Sequence, residues 1–194
     1  MNFLVVGLGN IGAEYADTRH NMGFMVLDAW ARASNFLSES RRYGALADLP
    51  FRGRHLYLLK PSTYMNLSGN AVRYWLQALH LGPEQLIVVC DDINLPFGTV
   101  RLRKQGSCGG HNGLRHIEEC LGTQEWCRIR LGVGKDFHPG EQIDYVLSAL
   151  SPEEKEQMGP LCTRVIEGIQ SIALIGPDRT MDTLNGKGMQ NGKK

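Results

Sequence analysis

The sequence predicts a single α/β domain with a twisted mixed β-sheet flanked by helices. Short runs rich in β-branched residues alternate with longer segments of helical periodicity, which is the pattern of an α/β sheet. The 194 residues, 42% of them hydrophobic and 21% charged, are enough to build one core. Two closely spaced strand-like runs joined by "LPFRGR" indicate a hairpin, so the sheet should mix parallel and antiparallel strands.

Strand and helix patterns follow one another in order along the chain. The apolar and β-branched runs predict strands at residues 3–8, 43–47, 55–60, 86–90, 99–103 and 127–133. The helical patterns predict helices at residues 19–35, 66–79, 112–121, 141–146 and 152–175. We expect one domain over residues 1–184 and a flexible basic tail over residues 185–194, because "NGKGMQNGKK" is rich in glycine and has no apolar period.

Composition narrows the environment and the partners. The formal net charge is +1, so a nucleic acid would have to be held by a local basic patch. Met1 and Asn2 lead straight into an apolar strand pattern without a signal peptide or membrane segment, so we expect a cytoplasmic protein that does not enter a membrane. Five cysteines without a C-x-x-C pair predict reduced thiols, mostly in the core, and no zinc site.

The stretch "VVGLGNIG" carries a G-x-G-x-x-G pattern at Gly7, Gly9 and Gly12. In a dinucleotide-binding fold a helix starts inside this pattern, and a strand ending in Asp or Glu follows about 20 residues later. Here "AEYADT" has no helical face, and we expect the helix to start only at Thr18, a residue of N-cap type. We therefore interpret the glycines as a tight turn that presents Asn10, and a dehydrogenase remains a minor alternative.

Polar residues gather where the predicted strands end, which is where open α/β sheets build their sites. Asp91 and Asp92 follow the apolar "LIVVC" and must be solvated, paired or used in chemistry. His20 lies in the first turn of its predicted helix, where the helix dipole favours a neutral imidazole that can accept a proton. Each of these side chains alone is as well explained by a solvated turn or a surface position.

Two further loops contribute polar side chains. "GSCGGHNG" places His111 and Asn112 at the start of a helix, either in an anion-binding loop or in a structural turn. "KPSTYMNLSG" places Met65 and Asn66 at the start of another helix, where an N-cap is the simpler role for Asn66.

Taken together, "GLGNIGAEYADTRHNMG", "YMNLSG", "DDINLPFG" and "GGHNGL" resemble the motifs of bacterial peptidyl-tRNA hydrolases, over roughly residues 3–134. The late "TMDTLNG" is similar to the closing motif of that family. The resemblance implies a monomeric hydrolase that needs no metal or other cofactor and binds peptidyl-tRNA. It would release the peptide from the 3′-terminal ribose and so recycle tRNA from ribosome drop-off products.

The chemistry of ester hydrolysis fits these residues. A positioned water and one base are sufficient, and His20 can be the base while Asp91 accepts from its other ring nitrogen. Uncharged asparagine amides suit a site that must accept any peptide, and one donor on the oxyanion could contribute about 3 kcal/mol. The predicted catalytic residues are therefore His20, Asp91 and Asn10, with the choice among the asparagines left open. The resemblance implies that the substrate contacts Tyr15, Met65, Asn66, His111 and Asn112.

A basic patch for tRNA is predicted on two strands. Alternating residues share one face of a strand, so the side chains of Arg101 and Arg103 should point to the same side, as should those of Arg128 and Arg130. Ordinary exposed charge on edge strands is the alternative. The predicted tRNA-binding residues are Arg101, Arg103, Lys104, Arg128 and Arg130, and the resemblance implies that Arg103 and Arg130 meet the 5′-phosphate end and that Tyr15 lies beside the acceptor end.

The sequence departs from the family pattern at three places. Ile11 stands where proline is usual, Ser107 and Cys108 interrupt the glycine loop, and Asn94 replaces a common acidic residue. A thiol near His111 raises the rival hypothesis of a Cys–His nucleophile. A non-catalytic RNA-binding relative of the same fold is the alternative from another functional class.

Overall fold

A computed structural model describes residues 1–186 and contains a seven-stranded mixed sheet. The spatial order of the strands is β2-β3-β4-β1-β5-β7-β6. β1 runs parallel to β4 and β5, and β5 runs parallel to β7, whereas β2, β3 and β6 join antiparallel. The strands are β1 (Phe3–Gly7), β2 (Glu39–Arg41), β3 (Gly44–Phe51), β4 (Arg54–Pro61), β5 (Leu86–Asp92), β6 (Val100–Arg103) and β7 (Cys127–Gly132).

Helices cover both faces of the sheet, which is why the central strands β1 and β5 contain the apolar runs "FLVV" and "LIVVC". One core joins α1, α5 and α6 to sheet residues such as Val5 and Ile129. A second core joins α2 and α3 to residues such as Leu4 and Val88 on the opposite face. The helices are α1 (Met22–Ser34), α2 (Ser68–Ala78), α3 (Asn112–Leu121), α4 (Gln142–Val146), α5 (Pro152–Ile175) and α6 (Pro177–Leu184).

The predicted hairpin and mixed sheet are confirmed. β3 and β4 pair antiparallel along their whole length, and Arg52 and Gly53 turn the chain with φ of 47° and 75°. Two successive positive φ values define the hairpin turn whose twist matches that of paired strands. The predicted α5 is also confirmed at both ends, because Ser151 and Glu154 form a capping box and Gly176 follows the last turn.

Two elements were not predicted, and two helices begin later than expected. β2 is a three-residue exposed strand, and α6 is a short helix with few apolar residues. Short 3-10 turns at residues 19–21 and 65–67 precede α1 and α2, which begin at Met22 and Ser68. Asn66 is therefore not the cap of α2.

The glycine pattern of the first turn serves close packing. A Cβ at Gly7 would lie 2.3 Å from the Gly23 carbonyl oxygen, and a Cβ at Gly23 would lie 2.4 Å from the Leu8 nitrogen. Strand β1 and helix α1 thus touch backbone to backbone. No α-helix begins among the described residues 7–21, so the dinucleotide-binding interpretation is wrong.

Three further features bear on the sequence predictions. No helix within residues 1–186 is long and apolar enough to cross a membrane. All five cysteines of the described chain are free thiols, and Cys90, Cys127 and Cys162 are buried as expected. Next to the predicted domain boundary, the Asn185 side chain accepts from Leu102 N–H and donates to Leu102 O. Residues 187–194 of the predicted tail lie outside the described residues.

Candidate active site

The candidate site is built around one buried carboxylate that two histidines contact. Asp91 is the penultimate residue of β5, and its side chain is 2% exposed. His20 Nδ1 lies 2.8 Å from Asp91 Oδ2, and His111 Nε2 lies 2.9 Å from Asp91 Oδ1. The two imidazole rings are 4.9 Å apart between centroids. Strand end, 3-10 turn and glycine loop therefore meet at one point, as the strand-end rule predicts.

Backbone hydrogen bonds fix the tautomer of His111. Its Nδ1 accepts from the N–H groups of Gly113 and Leu114 at the start of α3, so Nδ1 carries a lone pair. The proton of the neutral ring must then be on Nε2, which donates to Asp91. Asp91 consequently accepts from both histidines, and His20 donates through Nδ1.

Charge and burial shift both partners of the His20–Asp91 pair. Burial lowers the pKa of His20, but the charge of Asp91 and the hydrogen bond to it raise the pKa to above the ordinary 6.5. Burial raises the pKa of Asp91, and the two histidines lower it to well below its ordinary value. Asp91 is therefore a carboxylate at neutral pH. The expectation that the helix dipole depresses the His20 pKa is wrong, because His20 lies in the 3-10 turn before α1 and faces a carboxylate.

Asn10 is held by Asn21, the residue that follows His20 in the chain. Its backbone N–H donates to Asn21 Oδ1 at 2.8 Å, and its backbone oxygen accepts from Asn21 Nδ2 at 2.9 Å. Its side-chain Oδ1 accepts from Met65 N–H at 2.8 Å. This last bond orients the amide, because only the oxygen can accept from a backbone N–H, and leaves Nδ2 available as a donor. Sequence reasoning missed Asn21, which holds the backbone of Asn10.

The glycine loop leads into α3, and the side chain of His111 occupies the N-terminal end of that helix. His111 caps α3 through its side chain, which accepts from the N–H groups of Gly113 and Leu114. These two N–H groups are therefore not available to an anion at the helix end. Both ring nitrogens of His111 are engaged, and among the described residues it shares no hydrogen bond with the Cys108 thiol. The Cys–His nucleophile hypothesis thus has no base.

A cavity of about 740 Å³ opens over the pair. His20, Asp91, Cys108, Asn112 and Arg130 line it, together with α4 residues such as Ile143. Asn10 lines a second cavity, of about 390 Å³. The remaining predicted substrate residues are a mixed set, in which Met65 is buried, Tyr15 is half-buried and Asn66 is exposed. The sulfur of Met65 packs so close to Gly113 that a Cβ there would lie 2.6 Å from it.

The four predicted arginines share one face of the sheet. The β6–β7 register places Arg101 opposite Arg130 and Arg103 opposite Arg128. Arg101 and Arg103 are exposed, and Lys104 pairs with Asp178 at 2.8 Å on the surface. Arg130 lines the cavity and donates to Ser107 O at 2.6 Å. A positive edge therefore runs to the rim of the site.

Arg128 corrects the prediction of a tRNA contact. Its side chain is 0% exposed and lies over the Trp126 ring, 3.6 Å from the centroid. It donates to the carbonyl oxygens of Gly106, Gln124 and Trp126. Burial lowers its pKa to about 10, so it stays charged at neutral pH. Strand alternation predicts the face of Arg128 but not the loop that covers it, and its role is to anchor the glycine loop.

The departures from the family pattern leave the central hydrogen bonds intact. Ile11 is 43% exposed beside Asn10. Asn94 is exposed, and its backbone N–H donates to Asp92 Oδ1 at 2.8 Å, so the backbone makes the local contact. Ser107 contributes its carbonyl oxygen to Arg130. None of the three changes removes a partner of Asp91 among the described residues.

Comparison with known proteins agrees with this geometry. A family model described as peptidyl-tRNA hydrolase matches residues 4–192. The chain is 52% identical over 187 residues to a peptidyl-tRNA hydrolase of Phocaeicola vulgatus, covering 96% of this chain and 100% of that one. It is 48% identical to one of Cytophaga hutchinsonii with the same coverage. A crystal structure of peptidyl-tRNA hydrolase from Acinetobacter baumannii superposes with a TM-score of 0.89 and 29% identity, over 95% of this chain and 94% of that one. The chain belongs to the peptidyl-tRNA hydrolase family.

Proposed function

We propose that the chain hydrolyses the ester bond between a peptide, or an N-blocked aminoacyl group, and the 3′-terminal ribose of tRNA. The observation that carries the proposal is the His20 ring. Its Nδ1 is committed to Asp91, and its Nε2 is left for the cavity in a chain of this family. An imidazole held this way is a general base for water.

His20 Nε2 would take the proton of a water molecule while the water attacks the ester carbonyl. Asp91 keeps the proton on Nδ1 and stabilises the imidazolium that forms. The tRNA hydroxyl then leaves with the proton returned by His20. No covalent enzyme intermediate is required, because water attacks directly.

Asn10 is the best candidate for the oxyanion donor among the three asparagines. Its backbone is fastened by Asn21 and its amide is oriented by Met65, so Nδ2 is preorganised before substrate binds. Asn112 is exposed, and its oxygen accepts from Arg115 at 3.1 Å. Asn66 is exposed on the 3-10 turn.

The donor set argues against a catalytic metal. Ligand atoms of His20, Asp91 and His111 lie within 4.8 Å of one another, as in some metal sites. The lone pair of the neutral His111 ring lies on Nδ1, where it accepts from two backbone N–H groups. A metal could bind Nε2 only if that nitrogen lost its proton and the ring became an imidazolate. We therefore propose metal-independent hydrolysis, by a monomer in the cytoplasm, with a single domain over residues 1–184.

The test is release of a labelled N-acetyl-aminoacyl group from tRNA, with excess EDTA in one series and magnesium restored in a second to control for tRNA folding. Native protein and Cys108→Ser should release the label at the same rate in both series. Binding of tRNA without release would replace the hydrolase by an RNA-binding protein. Loss of activity in EDTA that zinc restores would refute the metal-free mechanism, and a fluorescence titration with nicotinamide cofactors checks the dehydrogenase alternative.

The pH dependence follows from the His20 pKa. Neutral His20 is the active form, so kcat/KM should rise with pH through a midpoint above 6.5 and then level off. The raised His20 pKa stabilises the fold fully below 6.5, and this contribution is lost as pH rises through the folded-state pKa. The lowered pKa of Asp91 stabilises the fold at pH values above the ordinary 3.8. This contribution is lost as the pH falls from 3.8 toward the folded-state pKa. A pH–rate profile corrected for spontaneous ester hydrolysis measures the midpoint, and a midpoint below 6.5 would contradict the geometry.

Arg101 and Arg128 provide a matched pair for the tRNA surface. Arg101→Gln should weaken tRNA binding and reduce the slope of log K against log salt by about 1, because one phosphate contact is lost. Arg128→Met should leave that slope unchanged and lower the free energy of unfolding by about 2 kcal/mol or more, since three carbonyls lose their donor. Filter binding over a salt series and urea unfolding measure the two quantities. Equal slopes for native protein and Arg101→Gln would exclude this phosphate contact.

A further inference from the structure

Arg19 precedes the proposed base in the 3-10 turn and reaches the other side of the site. Its side chain is 11% exposed. Nη1 donates to Ser148 Oγ at 2.6 Å and to Ala149 O at 2.8 Å, and Nη2 donates to Glu154 Oε2 at 2.8 Å. Its guanidinium carbon lies 4.5 Å from the centroid of the Tyr145 ring. One side chain thus binds α4, the segment after it and the first turn of α5.

The main chain joins the same two segments. Arg19 N–H donates to Ser148 O at 3.1 Å, and Leu150 N–H donates to Asp17 O at 3.0 Å. On the other side of His20, Asn21 holds the backbone of Asn10. The Arg19-His20-Asn21 turn therefore connects two walls of the site, with His20 between them.

The wall that Arg19 holds has little packing of its own. None of the five residues of α4 is buried, although Gln142, Ile143 and Val146 line the large cavity. Ile143 is 67% exposed, so an apolar side chain is offered to whatever enters the cavity. Tyr145 is the residue of α4 that faces inward, with its ring beneath Arg19 and its hydroxyl donating to Val133 O. The Arg19 contacts are thus among the few that fix the position of α4 relative to His20.

We infer that Arg19 is a positioning residue that sets the distance between the α4 wall and His20, so that a substrate resting on the wall is presented to the base. The inference rests on the proposed function. Arginine suits the role because its planar fork donates in several fixed directions at once. Lysine would keep the charge but could satisfy only part of this set.

The test compares Arg19→Lys, Ile143→Ala and the double variant in the tRNA ester assay. Arg19→Lys should lower kcat/KM by about tenfold or more, because misplacement by about 1 Å can cost about 100-fold. Ile143→Ala should raise KM in the native background and have little further effect beside Arg19→Lys, because the wall is already displaced. Lys155→Met is the matched control, since Lys155 joins Asp17 at 3.3 Å across the same two segments but is exposed. It should change kcat/KM by less than about twofold.

A second readout does not depend on hydrolysis. Amide hydrogen exchange over residues 142–151 should be faster in Arg19→Lys than in native protein and unchanged in Lys155→Met. If Arg19→Lys does not fold, Glu154→Gln keeps the capping side chain at that position, removes the charge that Arg19 binds, and should accelerate the same amides. Unchanged exchange, or additive effects of Arg19→Lys and Ile143→Ala, would overturn the inference. A native chain that fails to cleave the ester would instead refute the proposed function, and the exchange result would still report on the Arg19 contacts.

Discussion

Replacing His20 with alanine is expected to lower kcat by about 10²- to 10⁴-fold, the usual contribution of a positioned general base. KM should change little, because the 12% exposed His20 side chain offers the substrate a small surface. Single-turnover release of the labelled aminoacyl group measures the loss at saturating enzyme.

His55 supplies a matched control for this change. His55 Nδ1 lies 2.6 Å from Asp48 Oδ1, so the chain contains a second His–Asp pair, with both side chains about half exposed. His55→Ala should therefore leave kcat unchanged. Comparable losses in His20→Ala and His55→Ala would contradict the assignment of the base.

Asp91→Asn is expected to be at least as damaging as His20→Ala, because it changes the tautomer of His20. His111 must keep its proton on Nε2, because its Nδ1 accepts from backbone. The oxygen of the new amide would then accept from His111, and the NH₂ group of that amide would face His20 Nδ1. His20 would carry its proton on Nε2 and could no longer act as a base, so kcat should fall by about 10⁴-fold, as a wrong tautomer does in serine proteases.

Adding His111→Asn to Asp91→Asn tests this tautomer explanation. Asparagine still caps α3 but leaves the amide at position 91 free to turn its oxygen toward His20. The double variant should recover about tenfold of the lost rate, and ¹⁵N NMR of His20 should show the proton back on Nδ1. If the double variant is slower than Asp91→Asn alone, loss of the negative charge dominates and the tautomer explanation is wrong.

Periodicity predicts the elements that have a strong apolar pattern or clear end signals. Helix α5 is predicted at both ends because Ser151, Pro152 and Glu154 mark its start and Gly176 marks its end. Strand β2 escapes prediction because its three residues are exposed and polar. Helix α6 escapes because "PDRTMDTL" has few apolar residues, and its burial depends on β6 and α5, which it meets only in the folded chain.

The site shows a similar division. Side chains at strand ends can be expected to meet, and His20 does meet Asp91 across 71 residues of chain. The sequence does not show which side chains the loops bury or which residues hold the site in place. Arg128 alternates with Arg130 on its strand, yet the glycine loop buries only Arg128 completely. Asn21 and Arg19 look like ordinary polar neighbours of His20, because their roles depend on partners that only the fold brings close.

The contact of Asn185 with Leu102 opposes strand pairing between copies of the protein. β6 is an edge strand, and an open edge is a template for pairing with a strand of another molecule. The Asn185 amide uses both the N–H and the C=O of Leu102, as a neighbouring strand would. Arg101 and Arg103, on either side of Leu102, would repel the same edge of a second copy. We propose that this edge attracts a polyanion, and the same charges protect it against aggregation.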